Sequence, residues 1–289
     1  MKKQTNAAIF MAILAAALYA LNSPISKLLL SHVPSTMMAA FLYLGAGIGL
    51  LIVRIVQKQF GIKNTEQQLE REDLPYTIGM VVLDIAAPIF LMIGLSMTTA
   101  ANASLLNNFE IVATSLIALL IFKEKISKRL WKAIILVTIA SIILTFEDTS
   151  SLDFSFGSIF VLLACVCWGF ENNCTRSISN KDPLQIVVVK GFGSGLGSLA
   201  IAYAIGEHLP SYEYIIYALL LGFVAYGLSI FFYIYAQRTL GAAKTSAYYA
   251  VAPFIGAGLS LIIFKDVPSL SFIIAIIVMG AGTYLASND

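Results

Sequence analysis

The chain has 289 residues, 59% of them hydrophobic and 12% charged, with a formal net charge of +2 and a mean hydropathy of +0.86. Soluble domains carry about 25% charged residues, so a soluble enzyme or binding domain is excluded. A net charge this small also gives no field for a nucleic-acid partner.

A helix needs about 20 apolar residues to cross a bilayer, and by that measure the sequence predicts ten spans. The first, Ala7–Leu30, follows Met1-Lys2-Lys3 and imitates a secretory leader. Its apolar run is longer than a leader core and nine more runs follow, so it is expected to stay as an uncleaved helix. Ser35–Val56 carries Gly45, Gly47 and Gly49, and the polar link Gln57–Asp73 is expected to lie on the cytoplasmic surface. Leu74–Ser96 holds Asp84 with Pro88 one turn on, and Ala100–Ile121 holds Asn107 and Glu110. Leu130–Glu147 is nearly featureless. Ser155–Ile178 contains all three cysteines, Cys165, Cys167 and Cys174, whose expected role is packing. Pro183–Ile205 carries Lys190 and Gly191, Gly193, Gly195 and Gly197, at spacings that let helices approach closely in lipid. Ser211–Ala236, Ala242–Phe264 and Ser269–Leu285 complete the set.

Little chain remains outside the bilayer, and no Gly-x-x-x-x-Gly-Lys-Ser/Thr motif is present. Coupling to ATP would therefore need another subunit. His32 and His208 lie far apart, so no metal site is read, and no cofactor is expected. With a cytoplasmic N-terminus, Lys2, Lys3, Arg54, Lys58, Lys63, Arg71, Lys123, Lys125, Lys128, Arg129, Lys132, Arg176, Lys181, Arg238 and Lys244 all fall inside, and the outer loops keep Lys27 and Lys265. This bias places both termini in the cytoplasm.

The halves repeat. Residue n pairs with n + 149 near the start: Tyr19 with Trp168, Asn22 with Glu171, Lys27 with Arg176, Pro34 with Pro183. Beyond the longer link the offset becomes 142: Asp84 with Tyr226, Ala100-Ala101 with Ala242-Ala243, Ser104 with Ser246. Five spans per half is odd, so the second copy, residues 149–289, is expected to sit inverted relative to the first, residues 1–148. The predicted fold is an all-α membrane protein: ten transmembrane helices as two inverted five-helix repeats around a central cavity, the usual build of a secondary transporter.

Charges at bilayer depth cost about 2.5–3.5 kcal/mol each on insertion scales and so tend to be functional. Asp84, Glu110, Glu171 and Lys190 lie well inside spans. Helical spacing puts Ala103, Asn107, Glu110 and Thr114 on one face, and Trp168, Glu171, Asn172 and Thr175 on another. Matching faces carry Tyr19, Asn22, Ser23 and Ser26; Tyr226, Tyr233 and Gln237; and Thr245, Tyr248, Tyr249 and Ala252 before Pro253. An acidic, amide-rich, aromatic lining suits an amine or organic cation through charge pairing and cation–π attraction. The expected substrate contacts are Glu110, Glu171, Asn107, Asn22, Asn172, Trp168, Tyr19, Tyr248, Tyr249 and Tyr226. Glu110, Asp84 and Glu171 are expected to carry a coupling proton. The structural alternative pairs one acid with Lys190 and leaves the others as hydrogen-bonded links between helices.

These segments resemble the drug/metabolite transporter superfamily, in its EamA-type members, over essentially the whole chain. Trp168-Gly169 with Asn172-Asn173 and Arg176, Pro183, the openings Ala100–Ser104 and Ala242–Ser246, Pro253, and the ends Phe122-Lys123-Glu124 and Phe264-Lys265-Asp266 carry the resemblance. It implies a basket of helices whose first, third, fourth, sixth, eighth and ninth spans surround the cavity, and transport of amino acids, other metabolites, quaternary amines or drugs by exchange or proton coupling. The expected function is alternating-access secondary transport of a small amino-bearing or cationic metabolite in a prokaryotic plasma membrane. The expected partners are the solute, the bilayer and a coupling proton or counter-substrate, with the protein a monomer. A multidrug or quaternary-amine exporter is the alternative, and a passive channel or a membrane enzyme are the competing classes.

Overall fold

The computed structural model describes residues 2–61, 66–121, 123, 126–148, 153–240 and 248–287. Lys63, Phe122, Glu124, Lys125 and the expected opening Ala242–Ser246, with Thr245, lie outside the described residues. Among those described, the chain is helical apart from one short antiparallel pair, β1 (Phe146–Asp148) with β2 (Asp153–Phe154). The helices are α1 (Lys2–Ala20), α2 (Asn22–Leu29), α3 (Ser35–Gln59), α4 (Leu74–Met97), α5 (Ala100–Leu106), α6 (Phe109–Leu120), α7 (Lys128–Thr145), α8 (Phe156–Ser177), α9 (Pro183–Ala204), α10 (Tyr212–Gly222), α11 (Ser229–Leu240), α12 (Ala252–Phe264) and α13 (Leu270–Ser287).

Seven helical stretches are long and apolar enough to cross a bilayer: 6–29, 35–59, 71–97, 100–120, 156–177, 183–204 and 212–236. Helices α12 and α13 are apolar but shorter, and α7 opens with Lys128, Arg129 and Lys132. Three of the stretches are irregular within the membrane. The first is interrupted at Leu21, between α1 and α2. The fourth is broken at Asn107-Asn108, between α5 and α6. The seventh passes through a π-helical turn, Phe223–Leu228, between α10 and α11. Such irregularities within helices recur at functional sites.

Helix α4 packs on α8, α3 on α9, α1 on α11, α6 on α8, α7 on α13, and α5 on α12. Local signals set the ends. Thr99 and Ser155 accept hydrogen bonds from the amides of Asn102 and Ser158, opening α5 and α8. Glu207, in the loop after α9, reaches back to the first turn of α3, where it accepts from the amides of Thr36 at 3.1 Å and Met37 at 2.8 Å.

One cluster ties the two halves of the chain at a single membrane face. Asp182 Oδ1 accepts from the Leu184 amide at 3.0 Å to open α9, and its Oδ2 pairs with Arg54 of α3 at 3.1 Å. Beside it Lys181 pairs with Asp73 at 3.2 Å and Glu70 at 3.5 Å, and Gln185 accepts from the Leu69 amide at 2.8 Å. The link between the second and third spans is thus strapped to the segment that opens the seventh. Asp182→Ala removes a cap contribution of about 1 kcal/mol plus a half-exposed ion pair, expected to lower the melting temperature by roughly 2–4 °C. Asp182→Asn, which keeps the cap acceptor, should lose about half as much. Equal melting of all three proteins would show that the strap carries no stability.

Candidate functional site

Midway along their helices, three charged groups meet. Lys190 of α9 places Nζ 3.0 Å from Asp84 Oδ2 on α4 and 2.8 Å from Glu171 Oε1 on α8. All three are at least nine-tenths buried, with exposures of 7%, 0% and 2%. Each carboxylate also takes a hydroxyl: Tyr43 of α3 donates to Asp84 Oδ1 at 2.8 Å, and Thr175 donates to Glu171. Both acids therefore pair with the one lysine. The sequence-level alternative had allowed one.

Glu110, in the first turn of α6, is held differently. Its Oε1 accepts from Asn172 Nδ2 at 2.6 Å, and the same amide lies 3.3 Å from Thr114 Oγ1. Among the described residues no cation lies within ion-pair distance of Glu110. The face expected on α8 is thus divided. Glu171 and Thr175 turn to Lys190, and Asn172, one residue on, turns to α6. Asn173 is a link as well, donating to Gly169 O at 2.8 Å and to Thr114 O at 3.3 Å.

The helix break makes this arrangement possible. The amides of Asn108, Glu110 and Ile111 bond three residues back rather than four, tightening the turn. The freed Leu106 carbonyl is met by the Cys165 thiol of α8 at 3.5 Å. So Cys165 plugs the break, a more specific role than general packing.

Tyrosines form the opposite wall. Tyr226, in the π-helical turn, lies 5.1 Å from Tyr43 and 6.0 Å from Tyr19 between ring centroids, and its hydroxyl accepts from Asn22 at 3.2 Å. Tyr19 also packs on Tyr249 at 5.9 Å, and Tyr249 on Tyr233 at 5.0 Å. Asp84 and Tyr226, paired by the repeat, are joined through the single side chain of Tyr43. Trp168 is buried in the apolar core, and Tyr248 sits half-buried just before the turn that precedes α12.

Where Tyr19, Ser23, Asn107, Ser104, Pro253 and Gly256 meet, the cavity measures about 10 Å³, close to the space one water needs. Asn107 Oδ1 and Ser104 Oγ, both buried and lining this cavity, have no hydrogen-bond partner among the described residues. A larger recess of about 370 Å³ lies farther along the same helices, bounded by Lys27, Thr99, Phe264 and Asp266. There Lys27 Nζ donates to the Leu95, Ser96 and Thr98 carbonyls at 2.6, 3.2 and 2.7 Å, closing the end of α4.

The structure thus brings Glu110 to Asn172, Glu171 and Asp84 to Lys190, and Asn22 to Tyr226, within one layer of the bundle. Sequence reasoning missed Tyr43. Its signal was a phenol midway along an apolar span, masked by the glycines that follow it. It also missed Asn102, whose amide ties α5 to α7 and α8 through Leu144 O and Ser158 Oγ, each at 3.0 Å.

The chain matches the EamA-like transporter family over residues 6–146 and 155–288. An uncharacterized transporter of Methanothermobacter thermautotrophicus is 26% identical over 288 residues, covering 92% of this chain and 82% of that protein. A protein solved by crystallography shares the fold, with a TM-score of 0.68 at 15% identity over 96% of this chain and 95% of its own.

Proposed function

The chain belongs to the EamA-like transporter family, a multi-pass membrane transporter family of the drug/metabolite transporter superfamily, and from that premise we propose that it carries a small amino-bearing or cationic solute by alternating access. It does so as an exchanger or a proton-coupled carrier in a prokaryotic plasma membrane, with both termini cytoplasmic. Residues 1–148 and 149–289 act as two inverted five-helix repeats, and the pairing of helices supports this. Under the repeat α3 corresponds to α9 and α7 to α13, and each pair packs together. The packing of α4 on α8 corresponds to that of α11 on α1, and α6 on α8 to α12 on α1.

One observation carries the solute class. Glu110 lies in this layer, at a helix break and near a tyrosine wall, and among the described residues has only a neutral amide against it. Every other acid in the layer already has a cation. An ammonium group would supply the missing charge, and the free acceptors Asn107 Oδ1 and Ser104 Oγ would take its further N–H donors. The tyrosine rings favour the second reading, a quaternary amine held by cation–π attraction. Such a ligand has no N–H for Asn107, so the two readings separate.

A thermal-shift screen of amino acids, polyamines and quaternary amines on the purified protein tests this. A ligand at a hundred times its Kd stabilises the folded state by about 2.7 kcal/mol. Primary amines are expected to raise the melting temperature of the wild type and to raise that of Glu110→Gln by half as much or less. Stabilisation by neutral or anionic compounds alone, or equal stabilisation of both proteins, would contradict the assignment.

A further inference from the structure

Among the described residues Lys190 is the one buried cation in the layer, and nothing in cation recognition calls for it. A site built only to attract a cation is weakened by a lysine in its midst. Its geometry is also unlike a simple pair: one ammonium bridges two carboxylates from different helices, at 3.0 and 2.8 Å, each steadied by its own hydroxyl. Two of the three ammonium protons suffice for the bridge, and either carboxylate can let go while the other holds.

We propose, resting on the transport reading above, that Lys190 is a built-in counter-cation: it offsets part of the charge of Asp84 and Glu171 when no solute is bound, so that the empty carrier can change sides. All three groups are at least nine-tenths buried, and a buried, closed state is the one in which this matters. Formally the two acids carry −2, and the tethered lysine reduces that to −1 without a ligand from solution. Moving an uncompensated charge through a low-dielectric closed state is slow. With the lysine in place, return does not wait for a second solute, and net transport follows. Asp84 belongs to the first half of the chain, and Lys190 and Glu171 to the second. The Asp84 contact is therefore the one that crosses between halves, and the Glu171 contact keeps the lysine in place when it breaks.

The test separates net flux from exchange in proteoliposomes, using a solute identified by the thermal screen. Lys190→Met should retain counterflow against internal solute but lose net flux into empty vesicles, with the ratio of net to exchange rate falling roughly a hundredfold. Lys190→Arg should keep the wild-type ratio. A Lys190→Met protein that lost both rates in equal measure would reduce Lys190 to a structural link, and one that kept wild-type net flux would overturn the proposal equally. If Lys190→Met does not reach the membrane, Lys190→Gln, which removes the charge but keeps an amide donor toward Glu171, carries the test. It should keep counterflow and lose net flux in the same way, and a wild-type ratio there would refute charge compensation. Failure of the transport reading itself looks different: the wild type would show no saturable exchange at all.

Discussion

Replacing Glu110 with glutamine is expected to abolish transport while leaving a folded, membrane-inserted protein. Glutamine has the same shape, and its Oε1 can still accept the 2.6 Å hydrogen bond from Asn172 Nδ2. The contact that joins α6 to α8 therefore survives, and no charged neighbour is left unpaired, since no described cation sits on Glu110. The negative charge itself disappears. A hydrogen bond to a charged group is worth about 1.5–3 kcal/mol, so the solute affinity should fall roughly ten- to a hundredfold, and a carboxyl able to hold a proton is lost with it. Melting of the purified variant should stay within a few degrees of wild type, with uptake at background. Wild-type flux in this variant would remove Glu110 from the mechanism.

A large loss of stability is expected from Gly191→Leu. A Cβ added at Gly191 would lie 2.4 Å from Gly47 N, 2.5 Å from Gly47 Cα and 2.8 Å from Tyr43 O. All three are backbone atoms of α3, so no side-chain rotation relieves the clash, and α3 must part from α9. Overpacking of this kind costs about 1–3 kcal/mol and occasionally more, and a rigid backbone neighbour places it at the upper end. The melting temperature should drop by roughly 6–12 °C. Because Lys190 precedes Gly191 and Tyr43 lies across the same contact, displacement also pulls apart the charged cluster, so transport should fail as well. Gly258→Ala is the control: a Cβ there meets nothing within 4 Å. It should melt at or slightly above the wild-type temperature, since alanine favours the helix by about 1 kcal/mol. Equal melting of the two variants would mean that the α3–α9 contact does not limit stability.

Most helices were legible because a long apolar run can only be a helix in lipid, where every backbone group needs an internal partner. The glycine runs were legible for the same physical reason, and Gly47 against Gly191 is the close approach they implied. The break at Asn107-Asn108 was not. Both asparagines sit at positions a continuous helix would accept, and the tightening depends on what α8 supplies, including the Cys165 thiol. Polarity pointed to Asp84, Glu110, Glu171 and Lys190, but spacing along one helix gives only a face. A rotation of about 100° per residue sends Glu171 to Lys190 and Asn172 to Glu110, and the neighbour settles which way each turns. Tyr43 was invisible for a related reason: a phenol in an apolar span reads as packing until its partner, Asp84, is seen across the interface.

Counterflow of a labelled primary amine in proteoliposomes tests the central claim most directly. A buried acidic layer that opens alternately to each side predicts saturable uptake that is accelerated by unlabelled amine inside, in wild type but not in Glu110→Gln. Flux that rises linearly with concentration, shows no acceleration from the opposite side and is indifferent to residue 110 would contradict it.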